Sequence, residues 1–139
     1  MAEAVYVHIA PASDDEGGEG LWATPIDAQA GIYRVENFPI SEVDYTNGDA
    51  VQVADDGTGR LYIVGLAERR FQPALIEYGT LDRPARRALR LYFEGFGARL
   101  EWLVAGTAGV AVPVDITRAE FGRICAEAPS PVRWPDEDA

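Results

Sequence analysis

Residue types that can carry out acid–base chemistry are concentrated in one loop of this sequence. The stretch "ENFPISEVDYTNGD" contains the carboxylates Glu36, Glu42, Asp44 and Asp49 and no basic residue. Two carboxylates can act as acid and base when rigid supports hold them a few ångströms apart. This loop is rich in turn-forming residues rather than rigid, so the pattern predicts a solvated or contacting surface and no catalytic residue.

Nucleophilic side chains lack the partners that would activate them. His8 is the only imidazole, and it lies far in sequence from Ser41 and Ser130, so a Ser/His/Asp arrangement is not indicated. Cys125 is the only cysteine and falls on the apolar side of a predicted helix, where a thiolate is disfavoured. One His and one Cys cannot build a zinc finger or a Cys/His cluster. These residues favour a protein without enzymatic activity, cofactor or metal.

The charge is strongly asymmetric along the chain. The formal net charge is -11, and residues 1–59 account for all of it, with twelve Asp or Glu and one Arg. Such a half repels phosphate, which argues against nucleic acid and anionic membrane and favours a basic partner, although the charge could serve solubility alone. We predict a binding or inhibitory protein, similar to an immunity protein, with an acidic face toward a basic protein. The predicted contact residues are Glu36, Glu42, Asp44, Asp49, Asp55 and Asp56.

A second candidate surface is formed by arginines after residue 80. Arg83, Arg86, Arg87 and Arg90 fall on one side of a predicted helix, opposite an apolar side that includes Leu89 and Phe96. Planar guanidinium groups can bind phosphate or a nucleic-acid backbone. They could equally stay solvated, or meet the acidic half within one molecule or across a homodimer.

An alternative function is a small enzyme or ligand-binding domain with its pocket at the seam between the two halves. Aromatic residues could line such a pocket, although aromatic residues in strands also pack in cores. The candidates are Trp22, Tyr33, Phe38, Tyr45 and Trp102.

The elements that must position these residues divide the sequence into two parts, which we expect to pack as one compact body. Residues 1–70 contain short β-branched and aromatic runs separated by turns, which predicts a strand-rich, barrel-like half. Residues 71–139 follow the order strand, helix, strand, strand, helix, strand, which is typical of a ferredoxin-like half. Helix starts are predicted at Asp82, with Pro84 in the first turn, and at Thr117, with Glu120 completing a capping box. The predicted fold class is α+β.

Five short stretches carry a family resemblance: "EGLWA", "YRVENFP", "NGDAVQV", "FGARLEW" and "VAVPVD". In this order they resemble a bacterial family of uncharacterised proteins, domain of unknown function 4265. The resemblance implies a strand-rich half followed by a ferredoxin-like half over nearly the whole chain, and it implies no reaction. The sequence departs from the family pattern at "ERRFQPALIEYG".

The hydropathy pattern predicts a cytoplasmic protein that does not enter a membrane. No apolar stretch approaches the roughly 20 residues that a membrane helix needs. The start "MAEAVYVHIA" lacks the basic residues and long apolar middle of a signal peptide.

Overall fold

Five strands make up the first of two units, which ends at Phe71. Alternation of apolar and polar residues produces them, as in the first strand, where Val7 and Ile9 are buried and Tyr6 is exposed. The strands are β1 (Val5–Ile9), β2 (Gly20–Asp27), β3 (Ile32–Val35), β4 (Ala50–Asp55) and β5 (Leu61–Glu68). The coordinates are those of a computed structural model, which describes residues 3–9, 19–41 and 43–137.

These strands close into a barrel in the order β1-β2-β3-β4-β5. Consecutive strands pair antiparallel, and the barrel closes through parallel pairing of β1 with β5, where His8 lies opposite Tyr62 and Ile9 opposite Ile63. The inward residues form one apolar core: Val7, Ile9, Leu21, Ala23, Val35, Tyr45, Val51, Val53 and Ile63. The predicted strand-rich barrel is therefore confirmed.

The second unit begins at Gln72 and combines one sheet with two helices. Its elements are β6 (Phe71–Glu77), whose first residue still belongs to the first unit, α1 (Arg83–Glu94), β7 (Arg99–Trp102), β8 (Thr107–Pro113) and α2 (Arg118–Ala126). The sheet order is β6-β8-β7, and Glu77 forms an isolated antiparallel bridge with Arg133. The overall class is α+β, as predicted. In the described ranges, neither helix is long and apolar enough to cross a membrane.

Local interactions determine where both helices begin. The Asp82 side chain accepts a hydrogen bond from the Ala85 N–H at 2.9 Å, and Pro84 lies in the first turn of α1. At α2, the Thr117 side chain accepts from the Glu120 N–H at 3.1 Å, and the Glu120 carboxylate accepts from the Thr117 N–H at 3.0 Å. Such caps contribute about 1 kcal/mol each. Both predicted helix starts are confirmed.

The buried side of α1 differs from the predicted one at its C-terminal end. Leu89 and Phe93 are buried, whereas Phe96 is 44% exposed. The Phe93 ring packs against Phe121 of α2 with ring centroids 6.1 Å apart. Phe96 lies beyond Glu94, the last helical residue, so helical spacing no longer determines its direction.

Cys125 gives the second unit a predictable response to alkaline pH. The side chain is 6% exposed, and burial, with a smaller contribution from Glu137, raises the pKa of its thiol from 9.0 to about 12. In the unfolded chain the thiol ionises first, so the free energy of unfolding should be unaffected below pH 9 and fall between about pH 9 and 12. The expected loss is at most about 1.4 kcal/mol per pH unit.

The variant Cys125→Ala lacks this thiol, so its stability should fall less steeply with pH. Urea unfolding at about pH 8 and about pH 10, followed through the indole NMR signal of buried Trp134, compares the two slopes. If the free energy of unfolding fell equally between these two pH values in the parent protein and in Cys125→Ala, the assignment of the loss to the Cys125 thiol would be contradicted.

Candidate functional site

The four predicted anion-binding arginines line one groove of the second unit, where two strands end and a helix begins. Tyr78 follows directly after β6, Trp102 is the last residue of β7, and Arg83 is the first residue of α1. The groove has a volume of about 490 Å³. It is lined by Tyr78, Arg83, Arg86, Arg87, Arg90, Trp102 and Leu103.

Helix geometry gathers the guanidinium groups at this end of the sheet. Positions 83, 86, 87 and 90 have the spacing i, i+3, i+4 and i+7, which places them on one side of α1. Side chains of a helix lean toward its N-terminus, so the arginines extend toward the ends of β6 and β7. The N-terminal end of a helix also carries a partial positive charge, which adds to that of the arginines.

Arg90 and the rings of Tyr78 and Trp102 form a connected set of contacts within the groove. Arg90 Nη1 donates to the Leu100 carbonyl oxygen at 3.1 Å, and the Arg90 Cζ lies 5.3 Å from the centroid of the Trp102 ring. The rings of Tyr78 and Trp102 meet edge to face, with centroids 5.3 Å apart and an interplanar angle of 72°. Both rings also pack against the apolar core of the second unit, which holds them in place.

The remaining arginines carry positive charge that no carboxylate of the described residues neutralises. Within the part of the chain that the structure describes, Arg83, Arg86 and Arg87 form no ion pair. The described residues that line the groove include no Asp or Glu. Guanidinium groups in this situation can bind carboxylate or phosphate through paired hydrogen bonds.

Asp49 is a structural residue, and its prediction as a partner contact is wrong. The side chain is 0% exposed. One carboxylate oxygen accepts from the Thr46 N–H at 2.9 Å, and the other accepts from the N–H groups of Arg70 at 2.7 Å and Phe71 at 2.8 Å. These hydrogen bonds of Asp49 therefore connect its own loop to the segment that follows β5.

The other carboxylates of this loop differ from one another in surroundings. Glu36 forms an ion pair with Arg34 at 3.1 Å and accepts from the Thr24 hydroxyl at 2.7 Å. This pairing raises the pKa of the Arg34 guanidinium. Asp44 is exposed, and Glu42 lies outside the described residues. A single acidic contact surface is not apparent among the described members.

Asp55 is the last residue of β4 and Asp56 follows it in the predicted hairpin loop, and both side chains stabilise the turn. Asp55 accepts from the Gly57 N–H at 2.7 Å, and Asp56 accepts from the Thr58 N–H at 2.9 Å. Hydrogen bonds from Thr58 lower the pKa of Asp56. The strand β4 separates these residues from Asp49, and its six residues span about 20 Å.

The aromatic residues predicted to line one pocket belong to different units. Trp102 lines the groove described above. Tyr45 is 6% exposed and belongs to the barrel core. Burial, with smaller contributions from Asp44 and Glu19, raises the pKa of the Tyr45 phenol to about 12.

The other three aromatic candidates lie in the first unit. Trp22 is half-exposed on the outside of the barrel, where its ring meets the Tyr6 ring edge to face at 5.5 Å. Tyr33 is half-buried against the barrel core, and Phe38 is half-buried in the loop after β3. The outward row of Tyr6, Trp22 and His8 was not predicted as a unit, because its members come from two strands whose register the sequence does not specify.

A smaller cavity of about 120 Å³ lies beside the start of α2. Two of its polar side chains already have hydrogen-bond partners, since the Thr117 side chain caps α2 and Gln72 Nε2 donates to the Ile116 carbonyl oxygen at 3.3 Å. The Arg118 Cζ lies 4.6 Å from the Trp134 ring centroid. The arginine groove is therefore the stronger candidate site. Among the described residues, no group of three or more His, Cys, Asp or Glu side chains could hold a metal ion.

Comparison with known proteins gives information on the fold of the chain and none on its activity. No family model and no curated protein matches the chain. A crystal structure of a hypothetical protein from Neisseria gonorrhoeae is similar, with a TM-score of 0.55 and 12% sequence identity over 96% of this chain and 95% of that chain. At this identity the similarity concerns the fold alone. The resemblance to domain of unknown function 4265 stays a prediction.

Proposed function

We propose that the protein binds a small anionic ligand in the arginine groove of its second unit. The observation that carries this proposal is the presence of four guanidinium groups, and of no carboxylate among the described lining residues, in one groove of about 490 Å³. Small-molecule sites in proteins have volumes of roughly 300 to 1,000 Å³. None of the described lining residues is a His, Cys, Asp or Glu, the side chains that most often transfer protons in enzymes, and the function we propose is ligand binding.

Inorganic pyrophosphate and citrate are suitable first probes, because both present several anionic oxygens to the arginines. Calorimetric titration at low salt should detect binding, and added salt should weaken it because the groove is open to solvent. The variant Arg87→Gln should weaken pyrophosphate binding about tenfold, since a hydrogen bond to a charged group contributes about 1.5 to 3 kcal/mol. The double variant Arg86→Gln/Arg87→Gln should lose more than either single variant.

Arg123→Gln is the matched control. Arg123 is an exposed arginine on α2 of the same unit and does not line the groove, so this variant removes one positive charge at a different place. Its affinity for pyrophosphate should stay within about twofold of the parent, as expected for a distant, screened charge. Equal losses in Arg87→Gln and Arg123→Gln, or no binding of either anion by the parent, would contradict the proposal.

We also infer that the second unit is ferredoxin-like. The sheet order supports this, because the third strand of the unit, β8, lies between the first and the second, β6 and β7. The bridge between Glu77 and Arg133 supports a last strand, reduced to one pair, beside β6.

Contact between an acidic surface of the first unit and a basic protein stays a prediction. Its support is the charge of residues 1–59, which carry the whole net charge of -11. The positions of the carboxylates weaken it, because Asp49 is buried and Asp55 and Asp56 are engaged in a hairpin turn. Of the two predicted surfaces, the arginine groove is the one whose predicted residues all line a single site.

A further inference from the structure

We infer that the anion held by the arginine groove is a nucleotide, with its phosphates on the arginines and its base against Trp102 and Tyr78. This inference rests on the proposed function, which it makes more specific. The chemistry that the site recognises is a planar aromatic base joined to phosphate. Free nucleotides and single-stranded RNA both provide it.

The two aromatic rings distinguish this groove from a simple anion site. Tyr78 and Trp102 both line the groove, and each is only half-buried, so part of each ring is accessible from it. A phosphate or carboxylate gains little from such a surface, whereas a base that stacks on an aromatic ring gains about five- to a hundredfold in affinity. The combination of rings and guanidinium groups therefore fits a ligand with one planar and one anionic part.

Arg90 joins the aromatic and the cationic parts of the groove. Its guanidinium lies 5.3 Å from the Trp102 ring centroid and is oriented by the Leu100 carbonyl oxygen at 3.1 Å. Arg83, Arg86 and Arg87 have no such internal partner among the described residues, so their donors are available to phosphate oxygens. Three guanidinium groups can bind two phosphates with paired hydrogen bonds, which fits a nucleoside diphosphate.

The charge of the chain favours a free nucleotide over a polynucleotide. The net charge of -11 disfavours the approach of a long polyanion, while a nucleotide brings only the few charges that the groove neutralises. The groove volume of about 490 Å³ also lies within the range for small-molecule sites. We therefore assign the ligand to free nucleotides.

The test is calorimetric titration of the full-length protein with ADP, GDP, CDP and UDP, with inorganic pyrophosphate, and with a short single-stranded RNA at the same salt concentration. At least one nucleoside diphosphate should bind at least about fivefold tighter than pyrophosphate, because of base stacking. Trp102→Leu should remove this advantage, measured as the ratio of the diphosphate affinity to the pyrophosphate affinity of the same variant. In the parent protein, that diphosphate should shift the indole NMR signal of Trp102 and leave that of Trp134 in place, a measurement that does not depend on the folding of a variant.

The outcomes separate the two proposals. Pyrophosphate binding without any advantage for the four diphosphates, or without a shift of the Trp102 signal, would overturn the nucleotide inference and leave anion binding intact. No binding of pyrophosphate, citrate or any nucleotide would overturn both. RNA that binds more than about tenfold tighter than every diphosphate would overturn the assignment to free nucleotides, because it would show contacts beyond one groove.

Discussion

Replacement of Asp49 by alanine is expected to destabilise the first unit by about 3 to 5 kcal/mol, because three backbone N–H groups lose their acceptor and each unsatisfied donor costs about 1 to 3 kcal/mol. Two of these donors come from Arg70 and Phe71, so the loop that ends at Asp49 would also lose its attachment to the end of the unit. The same turn buries Thr46 Oγ1 and Asn47 Oδ1 without a hydrogen-bond partner among the described residues. It therefore has few interactions to compensate for the missing carboxylate.

Urea unfolding of Asp49→Ala should be followed by a probe that separates the two units. Trp22 is the only tryptophan of the first unit, whereas Trp102 and Trp134 belong to the second, so indole NMR signals report on each unit independently. Asp44→Asn changes an exposed carboxylate of the same loop and should alter stability by less than about 0.5 kcal/mol. If the Trp22 signal gave similar urea midpoints of unfolding for Asp49→Ala and Asp44→Asn, the structural role of Asp49 would be contradicted.

If Asp49→Ala does not fold, Asp49→Asn provides a milder change. The amide keeps one acceptor oxygen, so it can serve either the Thr46 N–H or the pair at Arg70 and Phe71 and not both sets. We expect a destabilisation smaller than that of the alanine variant and larger than that of Asp44→Asn.

Replacement of Gly106 by alanine is expected to destabilise the second unit by about 3 kcal/mol, which combines left-handed backbone strain with a steric collision. Gly106 has φ +74°, and a Cβ at this position would lie 2.5 Å from the Gly79 carbonyl oxygen. A backbone atom cannot be moved aside by a change of rotamer. The Gly106 carbonyl oxygen also accepts from the Tyr78 N–H at 2.8 Å, so the collision would displace one of the aromatic residues of the groove.

Gly79→Ala separates the two causes. Gly79 has φ +71°, nearly the same as Gly106, and a Cβ there would meet no atom within 4 Å. This variant should therefore cost only the backbone strain, about 1 to 2 kcal/mol. Unfolding followed by the Trp134 signal measures both variants, and pyrophosphate titration of folded protein reports on the groove. Equal destabilisation by the two substitutions would show that the close approach of the two backbones is unimportant.

Local signals in the sequence were sufficient for much of the fold. The alternation in "AVYVHIA", the turn residues of "DDGTG" and the caps at Asp82 and Thr117 depend on residues within a few positions of one another, and all appear as predicted. The prediction placed Phe96 instead of Phe93 on the apolar side of α1. The helix ends at Glu94, two residues before Phe96, and the buried residue is Phe93.

Two features of the candidate site depended on contacts that a sequence does not display. Asp49 has the neighbours of an exposed turn residue, and its burial follows from N–H groups more than twenty positions later in the chain. Trp102 and Arg90 were assigned to separate surfaces, one aromatic and one cationic. They meet because β7 ends beside α1, a relation set by the packing of the second unit.

Parallel pairing between β1 and β5 has a consequence for biosynthesis on the ribosome. The barrel cannot close until the residues around Tyr62 and Ile63 have emerged, because they are the partners of His8 and Ile9. Contacts so distant in sequence form slowly. Until then the nascent first unit is an open sheet, and its unpaired N–H and C=O groups can pair with a neighbouring chain. Completion of β5 removes both open edges in one step.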